Sequence, residues 1–272
     1  MLMKVEIKKV IKFGALSMIL GGLSTSTCGS SESAAGLESG DTAAAVVTRP
    51  EYYQFRNASR GGTGKFYMGR EISRVMGYQG ASWLERPDRE REQRADLLIE
   101  NLPLEADSVV ADIGAGTGYF SFGIAKRIPK GRVLAVDIQP QMLAIIEDRK
   151  ASGAPSNVET ILGNERDTGL PEGVADLILL VDAYHEFSHP REMGEAMVRA
   201  LKPGGRMVLI EYRGEDPSIP IKPLHKMTEK QVIAEMRALG LEWERTEDFL
   251  PQQHFLVFRH PPAQPINGPA RD

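Results

Sequence analysis

The sequence predicts an α/β fold, a mostly parallel sheet with helices on both faces. From residue 108 onward, short β-branched runs alternate with helical stretches, which is typical of parallel strands joined by crossover helices. The run at 176–181, Asp-Leu-Ile-Leu-Leu-Val, is nearly continuous in apolar residues, as in strands that are covered on both faces. The last two strands are too close together for a crossover helix, so we expect an antiparallel hairpin at the end of the core.

The amino-acid composition excludes several classes of protein and of site. The chain has 272 residues, of which 42% are hydrophobic, and this can supply one sizeable core. Its 33 Lys and Arg against 37 Asp and Glu give a net charge of −4, so we expect no nucleic-acid partner. The single cysteine, Cys28, excludes an internal disulfide and a cysteine-rich zinc site.

Residues 1–28 are typical of a signal peptide. Four lysines precede an apolar run at 13–23, which is too short for a permanent membrane span. Cys28 stands where a bacterial lipoprotein carries its lipidated residue, although Thr25 and Thr27 occupy positions where a lipobox usually has Leu and a small Gly or Ala. We therefore expect export, with a lipid anchor on the periplasmic side as the only membrane contact. The alternative is an N-terminal extension on a cytoplasmic enzyme.

Composition also predicts a linker, an N-terminal cap and a C-terminal tail. Residues 29–48 are rich in Ser, Gly and Ala and predict a flexible linker, and the tail at 261–272 is also not expected to pack. Residues 49–105 predict an N-terminal helical cap of two or three short helices, the last near 89–101. The alternating charges of Arg89, Glu90, Arg91 and Glu92 favour a solvated helix face.

Residues 106–260 predict the core. Strands are predicted at 108–113, 132–137, 158–162, 175–182 and 206–212, with helices at 118–127, 140–152 and 190–201. Thr228 and Gln231 have the spacing of a capping box, so a further helix begins there, and Gly240 ends it. The strands at 242–246 and 254–259 form the closing hairpin.

A glycine-rich turn follows the first of these strands, at 114–118, and opens a helix. Glycines there let backbone approach a ligand closely. Asp137 ends the next strand, where a carboxylate can accept hydrogen bonds from both ribose hydroxyls. The spacing Asp-x-Gly-x-Gly-x-Gly departs from the dinucleotide pattern, and Asp112 would repel a pyrophosphate but suits a cationic amino-acid group.

At these residues the sequence resembles the class I S-adenosylmethionine-dependent methyltransferases, over about residues 106–259. The resemblance implies a Rossmann-like sheet of seven strands and S-adenosylmethionine as cofactor. We expect a small-molecule acceptor, because the sequence shows no basic aromatic groove for nucleic acid. The resemblance also implies a cofactor site in which Asp137 holds the ribose, Ile138 flanks the adenine and a Gly-rich loop surrounds the methionine part. The implied cofactor residues are Asp112, Gly114, Ala115, Gly116, Gly118, Asp137, Ile138, Asn164, Glu165 and Asp182. Asn164 stands where many members have Asp.

Methyl transfer to a hydroxyl or a carbon acid needs a base. His185 and Glu186 are the best-placed candidates, because they follow the fourth strand, where family members face cofactor and acceptor. Tyr184 is a further candidate, as a hydrogen-bond donor or as a π-face for the sulfonium. His225 is a candidate for substrate contact, and Glu211 lies at the end of a strand near the expected ligand position.

His185-Glu186-Phe187-Ser188-His189 also matches the zinc-protease pattern His-Glu-x-x-His. That pattern works only on one helix, and Pro190 disfavours helical backbone at His189. We therefore predict no metal centre and keep a zinc peptidase as a minor alternative. A second alternative is an exported nucleoside-binding protein of the same fold without turnover.

Overall fold

The computed structural model describes residues 51–262. The predicted signal peptide, lipid anchor, linker and almost all of the tail lie outside these residues, and export therefore stays a prediction. No helix in this part of the chain combines the length and the apolar character that a membrane span requires.

The described residues form ten strands and seven α-helices. The strands are β1 (Tyr53–Phe55), β2 (Gly62–Tyr67), β3 (Arg70–Ser73), β4 (Val109–Ile113), β5 (Arg132–Asp137), β6 (Val158–Leu162), β7 (Ala175–Val181), β8 (Leu201–Tyr212), β9 (Glu242–Glu247) and β10 (Gln253–Arg259). The helices are α1 (Ala81–Leu84), α2 (Arg89–Gln93), α3 (Ala95–Glu100), α4 (Tyr119–Arg127), α5 (Pro140–Ala151), α6 (Pro190–Ala200) and α7 (Glu229–Ala238).

Seven strands form the main sheet, in the order β6-β5-β4-β7-β8-β10-β9. Strands β4 to β8 run parallel, and β10 pairs antiparallel with both β8 and β9, as the sequence predicts. The chain moves outward from β4 to β6 and then returns to β7 on the other side of β4. The carboxyl ends of β4 and β7 therefore meet at a topological switch point, where ligands bind in open α/β sheets.

The core lies on both faces of this sheet. On β7, Leu177 and Leu179 pack with one apolar cluster, which includes side chains of α3, α4 and α5, whereas Ile178 and Leu180 pack with another, which includes side chains of α6 and α7. All four side chains are buried. Burial of alternate side chains on opposite faces explains why this strand is a continuous apolar run in the sequence.

The first half of the predicted helical cap is wrong. Residues 53–73 form a three-stranded antiparallel sheet, β1-β2-β3, and only the part from α1 onward is helical. Tyr67 pairs with Arg70, so Met68 and Gly69 alone form the turn, with φ values of 46° and 94°. Two consecutive positive φ values give the tight turn that suits a hairpin, and Met-Gly lacks the usual Asn-Gly signal for it.

The cap is attached to the core by a buried ion pair. Arg70 Nε donates to Glu235 Oε1 at 2.6 Å, and a terminal guanidinium nitrogen donates to Glu235 Oε2 at 3.0 Å. The Glu235 side chain on α7 is fully buried. This bidentate contact fixes the orientation of the β2–β3 hairpin over the carboxyl ends of the parallel strands.

Candidate active site at the sheet switch point

A cavity of about 890 Å³ lies over the carboxyl ends of β4, β5 and β7, beneath the cap. Its lining joins the glycine-rich turn after β4, the end of β5 and the turn after β7 to cap residues 73–93. Ligand pockets of drug-sized molecules have volumes of about 300–1,000 Å³. The cavity is therefore large enough for a nucleoside-sized ligand together with a small second molecule.

The glycine-rich turn depends on backbone conformations that side chains disfavour. Gly114 and Gly116 have φ values of 78° and 55°. A Cβ added at Gly114 would lie 2.8 Å from the Ala183 Cβ, and one at Gly116 would lie 2.8 Å from Leu84 Cδ1 in the cap. The Gly114 and Ala115 amides donate to Val136 O at 2.9 and 3.0 Å, so this turn contributes shape to the cavity more than free hydrogen-bond donors.

Asp137 supports this turn from the end of β5. Its Oδ2 accepts the Gly116 amide at 2.9 Å, and its Oδ1 accepts the Gln139 amide at 2.9 Å. Each carboxylate oxygen has a second lone pair, so both can still accept a hydrogen bond from a ligand in the cavity. Burial raises the pKa of Asp137, although the amide hydrogen bonds act against this shift.

Asp112 lies deeper, at the end of β4, with its Oδ2 accepting from Ser121 Oγ at 2.5 Å. Burial raises its pKa to about 6, in spite of the Ser121 hydrogen bond. A buried carboxylate with a pKa in this range titrates within the ordinary working range of enzymes. The cavity therefore has a carboxylate at this end whose charge depends on pH between about 5 and 7.

Asp182, directly after β7, has a strained backbone with φ at 50°. Its Oδ2 accepts from Gln93 Nε2 at 2.8 Å and from Gln253 Nε2 at 2.7 Å, whereas its buried Oδ1 has no partner among the described residues. Burial and the nearby charge of Glu211 raise the pKa of Asp182 to about 7. Strain and an unpartnered polar atom at one residue are typical of functional positions.

Arg89 was missed by the sequence analysis. It is 5% exposed and lines the cavity, so the predicted solvated face is wrong for this residue. Its guanidinium donates to Gln93 Oε1 and to Leu84 O, and it lies 4.3 Å from the ring centre of Tyr119 at the start of α4. In the described part of the chain it forms no ion pair, and burial lowers its pKa. A buried cation without a carboxylate partner favours an anionic ligand group.

A cluster of polar side chains also lines the cavity. It consists of His185, Glu186 and His225, and we call it the His185 cluster. His185 Nε2 lies 3.1 Å from His225 Nδ1, and Glu186 Oε1 lies 3.2 Å from His225 Nδ1 and 3.9 Å from His185 Nε2. The three atoms thus form a compact triangle that faces the cavity.

Each member of the His185 cluster is held by a neighbour. His185 Nδ1 lies 2.6 Å from Oε2 of the fully buried Glu211, and His225 Nε2 lies 3.0 Å from Ser73 Oγ on the cap. Glu186 Oε2 accepts the Met76 amide at 3.0 Å. Burial lowers the pKa of His185, but the charge and hydrogen bond of Glu211 and the charge of Glu186 outweigh it, so the net pKa is raised.

Comparisons with known proteins agree with this geometry. Residues 110–205 match the family model described as a methyltransferase domain. A demethylmenaquinone methyltransferase from Thermus thermophilus is 30% identical over 125 residues, which are 46% of this chain and 54% of that protein. A ubiquinone/menaquinone biosynthesis C-methyltransferase, UbiE, from Pseudomonas putida is 28% identical over 136 residues, 49% of this chain and 50% of that protein. The chain spans about half the length of the curated relatives it matches.

Solved structures show the same fold. A SAM-dependent methyltransferase from Aquifex aeolicus superposes with a TM-score of 0.65 at 21% identity, covering 68% of this chain and 100% of that one. Residues 110–205 thus match a methyltransferase domain, and the core around them has the fold of a class I S-adenosylmethionine-dependent methyltransferase. The [4+2]-cyclase SpnF also shares the fold, with a TM-score of 0.55 at 18% identity over 62% of this chain and 80% of its own, so likeness of fold at this level leaves the reaction open.

The methyltransferase domain brings most of the predicted cofactor residues together. The predicted residues that line the cavity are Asp112, Gly114, Ala115, Gly116, Asp137, Ile138, Glu165 and Asp182. Gly118 lies outside the lining: it has a φ of 78°, and an added Cβ would lie 2.9 Å from Phe122. The Asn164 side chain is also outside, because its Oδ1 accepts the Arg166 and Asp167 amides in a local turn.

The structure places the three candidate catalytic residues in two different environments. His185 and Glu186 face the cavity, whereas Tyr184 is fully buried outside its lining, in edge contact with Phe187 and below the Arg70 guanidinium. Burial raises the pKa of Tyr184 well above its ordinary value. A fully buried phenol outside the cavity lining reaches no ligand in the cavity, so Tyr184 is unsuitable both as the predicted hydrogen-bond donor and as the predicted π-face for the sulfonium.

The helical zinc-protease arrangement is also contradicted. Tyr184–Glu186 is a single 3-10 turn, and His189 precedes α6 with φ at −133°. His189 Nδ1 faces Ser188 Oγ at 3.0 Å and Glu165 at 3.4 Å, away from the His185 cluster. The two histidines of the sequence pattern thus do not share a helix face, because Pro190 begins α6 only after His189.

Proposed function

We propose that this protein transfers the methyl group of S-adenosylmethionine to a small, partly apolar acceptor bound in the same cavity. The observation that carries this proposal is the continuity of one cavity from Asp112 and Asp137 to the His185 cluster. Donor and acceptor would then meet inside a site that the cap shields from water. Such alignment and dehydration supply much of what an already activated sulfonium donor needs.

In this proposal the adenosyl part lies over the end of β5. Asp137 accepts hydrogen bonds from both ribose hydroxyls, and the side chain of Ile138 flanks the adenine. Ile138 is 38% exposed and Trp83 of the cap is 52% exposed, and both line the cavity. Covering these exposed apolar side chains with a nucleoside base would contribute hydrophobic free energy to binding.

The methionine part would lie between two opposite charges. Asp112 attracts the α-ammonium group, and Arg89 pairs with the α-carboxylate. Both side chains line the cavity, and Arg89 packs on Tyr119 and Phe120, next to the glycine-rich turn. A zwitterionic amino-acid end would supply the anion that buried Arg89 lacks, which favours an aminoacyl ligand over a simple nucleoside.

The acceptor would lie under the β2–β3 hairpin, near the His185 cluster. Apolar side chains from the cap and from the segment before α7, including Val75 and Ile221, line this part together with the polar cluster. This combination suits a compound with an apolar body and a hydroxyl or an acidic carbon, from which the cluster takes the proton. The matched relatives are named for the methylation or biosynthesis of quinones, and the reduced, hydroquinone form of such a compound has hydroxyls on an apolar body.

Cofactor affinity should depend on pH through Asp112. Its pKa of about 6 means that the carboxylate is ionised at pH 7 and mostly protonated at pH 5. If only the ionised form attracts the ammonium group, affinity for S-adenosylmethionine rises about tenfold from pH 5 to pH 7. Calorimetric titration across this range measures the rise. In Asp112→Asn the affinity should be lower, and its rise from pH 5 to pH 7 should be smaller than in the wild type, with only Asp182, whose pKa is about 7, still titrating in the same cavity. A wild-type-like slope in this variant would refute the role of Asp112.

Transfer itself is tested with isotope-labelled donor and an extract of small molecules as acceptor. We expect His185→Ala to lower turnover by about 100-fold, a typical loss on removing an acid–base group, with affinity for S-adenosylmethionine unchanged. His189→Ala is the matched control, because His189 lies outside the cavity lining and should keep full turnover.

Two outcomes would count against this function. Equal losses in the His185 and His189 variants would show that the His185 cluster has no special role. Tight binding of the donor without release of labelled product from any acceptor fraction would instead favour the nucleoside-binding protein without turnover.

A further inference from the structure

We propose that His185, Glu186 and His225 bind a divalent transition-metal ion of the zinc class at the acceptor end of the cavity. This inference goes beyond methyl transfer and does not rest on it, because metal binding can be measured without donor or acceptor. Two imidazoles and one carboxylate, each with a free ligand atom, are a ligand set that such ions prefer.

The spacing of the three free ligand atoms suits one ion. Ligands bound about 2.1 Å from a metal lie about 3.0–3.4 Å from one another in octahedral or tetrahedral arrangement. The two contacts of His225 Nδ1, 3.1 Å to His185 Nε2 and 3.2 Å to Glu186 Oε1, lie in this range. The third separation, 3.9 Å between His185 Nε2 and Glu186 Oε1, needs a small side-chain movement.

The neighbours of these residues leave the ligand atoms available. Glu211 occupies Nδ1 of His185 and leaves Nε2 toward the cavity, and Ser73 occupies Nε2 of His225 and leaves Nδ1. The Met76 amide occupies Oε2 of Glu186 and leaves Oε1. A histidine that binds a metal usually donates a hydrogen bond from its other ring nitrogen to a carboxylate, which fixes the tautomer and the ring orientation.

The three ligands come from separate parts of the chain. His185 and Glu186 lie on the turn after β7, and His225 lies on a 3-10 turn, Pro223–His225, before α7. Their side chains are 3%, 14% and 25% exposed, so an ion would be partly shielded and still reachable from the cavity. An acceptor oxygen bound at a remaining coordination position would have its proton made more acidic by the ion. In the metal-bound state the ion would thus activate the acceptor in place of the free His185 Nε2, which then holds the metal.

Without an ion, the same distances describe a polar network in which His185 Nε2 and His225 Nδ1 share one hydrogen bond and Glu186 Oε1 lies at ion-pair distance from His225 Nδ1. A measurement of metal affinity distinguishes a metal site from a polar network that has no ion. We therefore propose titration of the full-length, tag-free chain, after chelator treatment, with Zn²⁺ and separately with Mg²⁺, followed by calorimetry and by elemental analysis of the dialysed protein. Co²⁺ replaces Zn²⁺ in a parallel sample for its visible absorption spectrum.

We expect one Zn²⁺ per chain, no competition from Mg²⁺, and a Co²⁺ spectrum with nitrogen and oxygen ligands. His225→Ala and Glu186→Gln should each weaken Zn²⁺ binding by at least about 100-fold, and Glu211→Gln should weaken it by about 10–100-fold through loss of support for His185. His189→Ala is the control and should bind Zn²⁺ like the wild type. Glu186→Gln keeps the size of the side chain, and circular dichroism checks that each variant is folded.

Three results would overturn the proposal. One is absence of stoichiometric Zn²⁺ in the wild type, which would leave the polar network as the role of the cluster. Another is equal Zn²⁺ content in folded wild type, Glu186→Gln and His225→Ala, which would place the ion elsewhere. The third is loss of Zn²⁺ in His189→Ala with retention in His225→Ala.

Discussion

Replacing Asp137 by Ala should weaken binding of S-adenosylmethionine by about 100-fold or more. The proposal gives this carboxylate two hydrogen bonds to ribose, and a hydrogen bond to a charged group contributes about 1.5–3 kcal/mol. The variant also frees the Gly116 amide that Asp137 Oδ2 accepts, so the glycine-rich turn loses one of its supports. Calorimetry with S-adenosylmethionine and with S-adenosylhomocysteine measures the effect.

Asp176→Ala is the matched control for this variant. Asp176 also holds a backbone amide, that of Val109, and pairs with Lys202, but it lies near the amino end of β7, at the opposite edge of the sheet from the cavity. It should change thermal stability without changing cofactor affinity. Unaltered affinity in Asp137→Ala, or equal losses in both variants, would contradict the ribose assignment.

Replacing Arg89 by Met should separate cofactor affinity from stability. Methionine keeps an apolar stem against Tyr119 and Phe120 but removes the buried guanidinium. Loss of its hydrogen bonds to Gln93 Oε1 and Leu84 O costs stability, whereas removal of a buried cation that has no direct ion pair among the described residues relieves a desolvation cost. The two effects oppose each other, so the melting temperature should stay within about 5 °C of the wild type. Affinity for S-adenosylmethionine should fall about 10–100-fold. This fall corresponds to the free energy that a charge-assisted hydrogen bond to the carboxylate contributes to binding.

Arg91→Met controls for the helix itself. Arg91 lies on the same short helix α2, but its side chain is 77% exposed and, within residues 51–262, pairs only with Asp88 at the surface. A second control is 5′-methylthioadenosine, which has the nucleoside and no amino-acid carboxylate. Its affinity should be the same for wild type and Arg89→Met. A parallel loss of affinity for both ligands would contradict the carboxylate assignment and indicate a structural role for Arg89.

The sheet and much of the cofactor end of the cavity could be predicted from local sequence. Strand β7 is continuously apolar because both of its faces are buried, and strands β5 and β6 begin and end where the sequence predicts. Strand β8 begins earlier than predicted, at Leu201, because the irregular stretch before Arg206 still pairs with β7. The glycine-rich turn and Asp137 were recognisable because the requirement they meet is local: positive φ in a turn and a carboxylate at a strand end.

The remaining features depend on contacts between distant residues. The alternating charges around Arg89 indicate a solvated face, but the cap folds over α4 and buries this one arginine. Likewise, the sequence offers His189 as the partner of His185, whereas the fold brings His225 to within 3.1 Å of it. Local spacing cannot reveal a histidine 40 residues away, which the long connection after β8 delivers to the cavity.

The most direct test of the account is a crystal structure of the chain with S-adenosylhomocysteine. The account predicts the ribose hydroxyls on Asp137, the amino-acid carboxylate next to Arg89, and the sulfur directed toward the end of the cavity that contains His185. An empty cavity, or a ligand bound at another surface while Asp137 and Arg89 keep only their present partners, would contradict it.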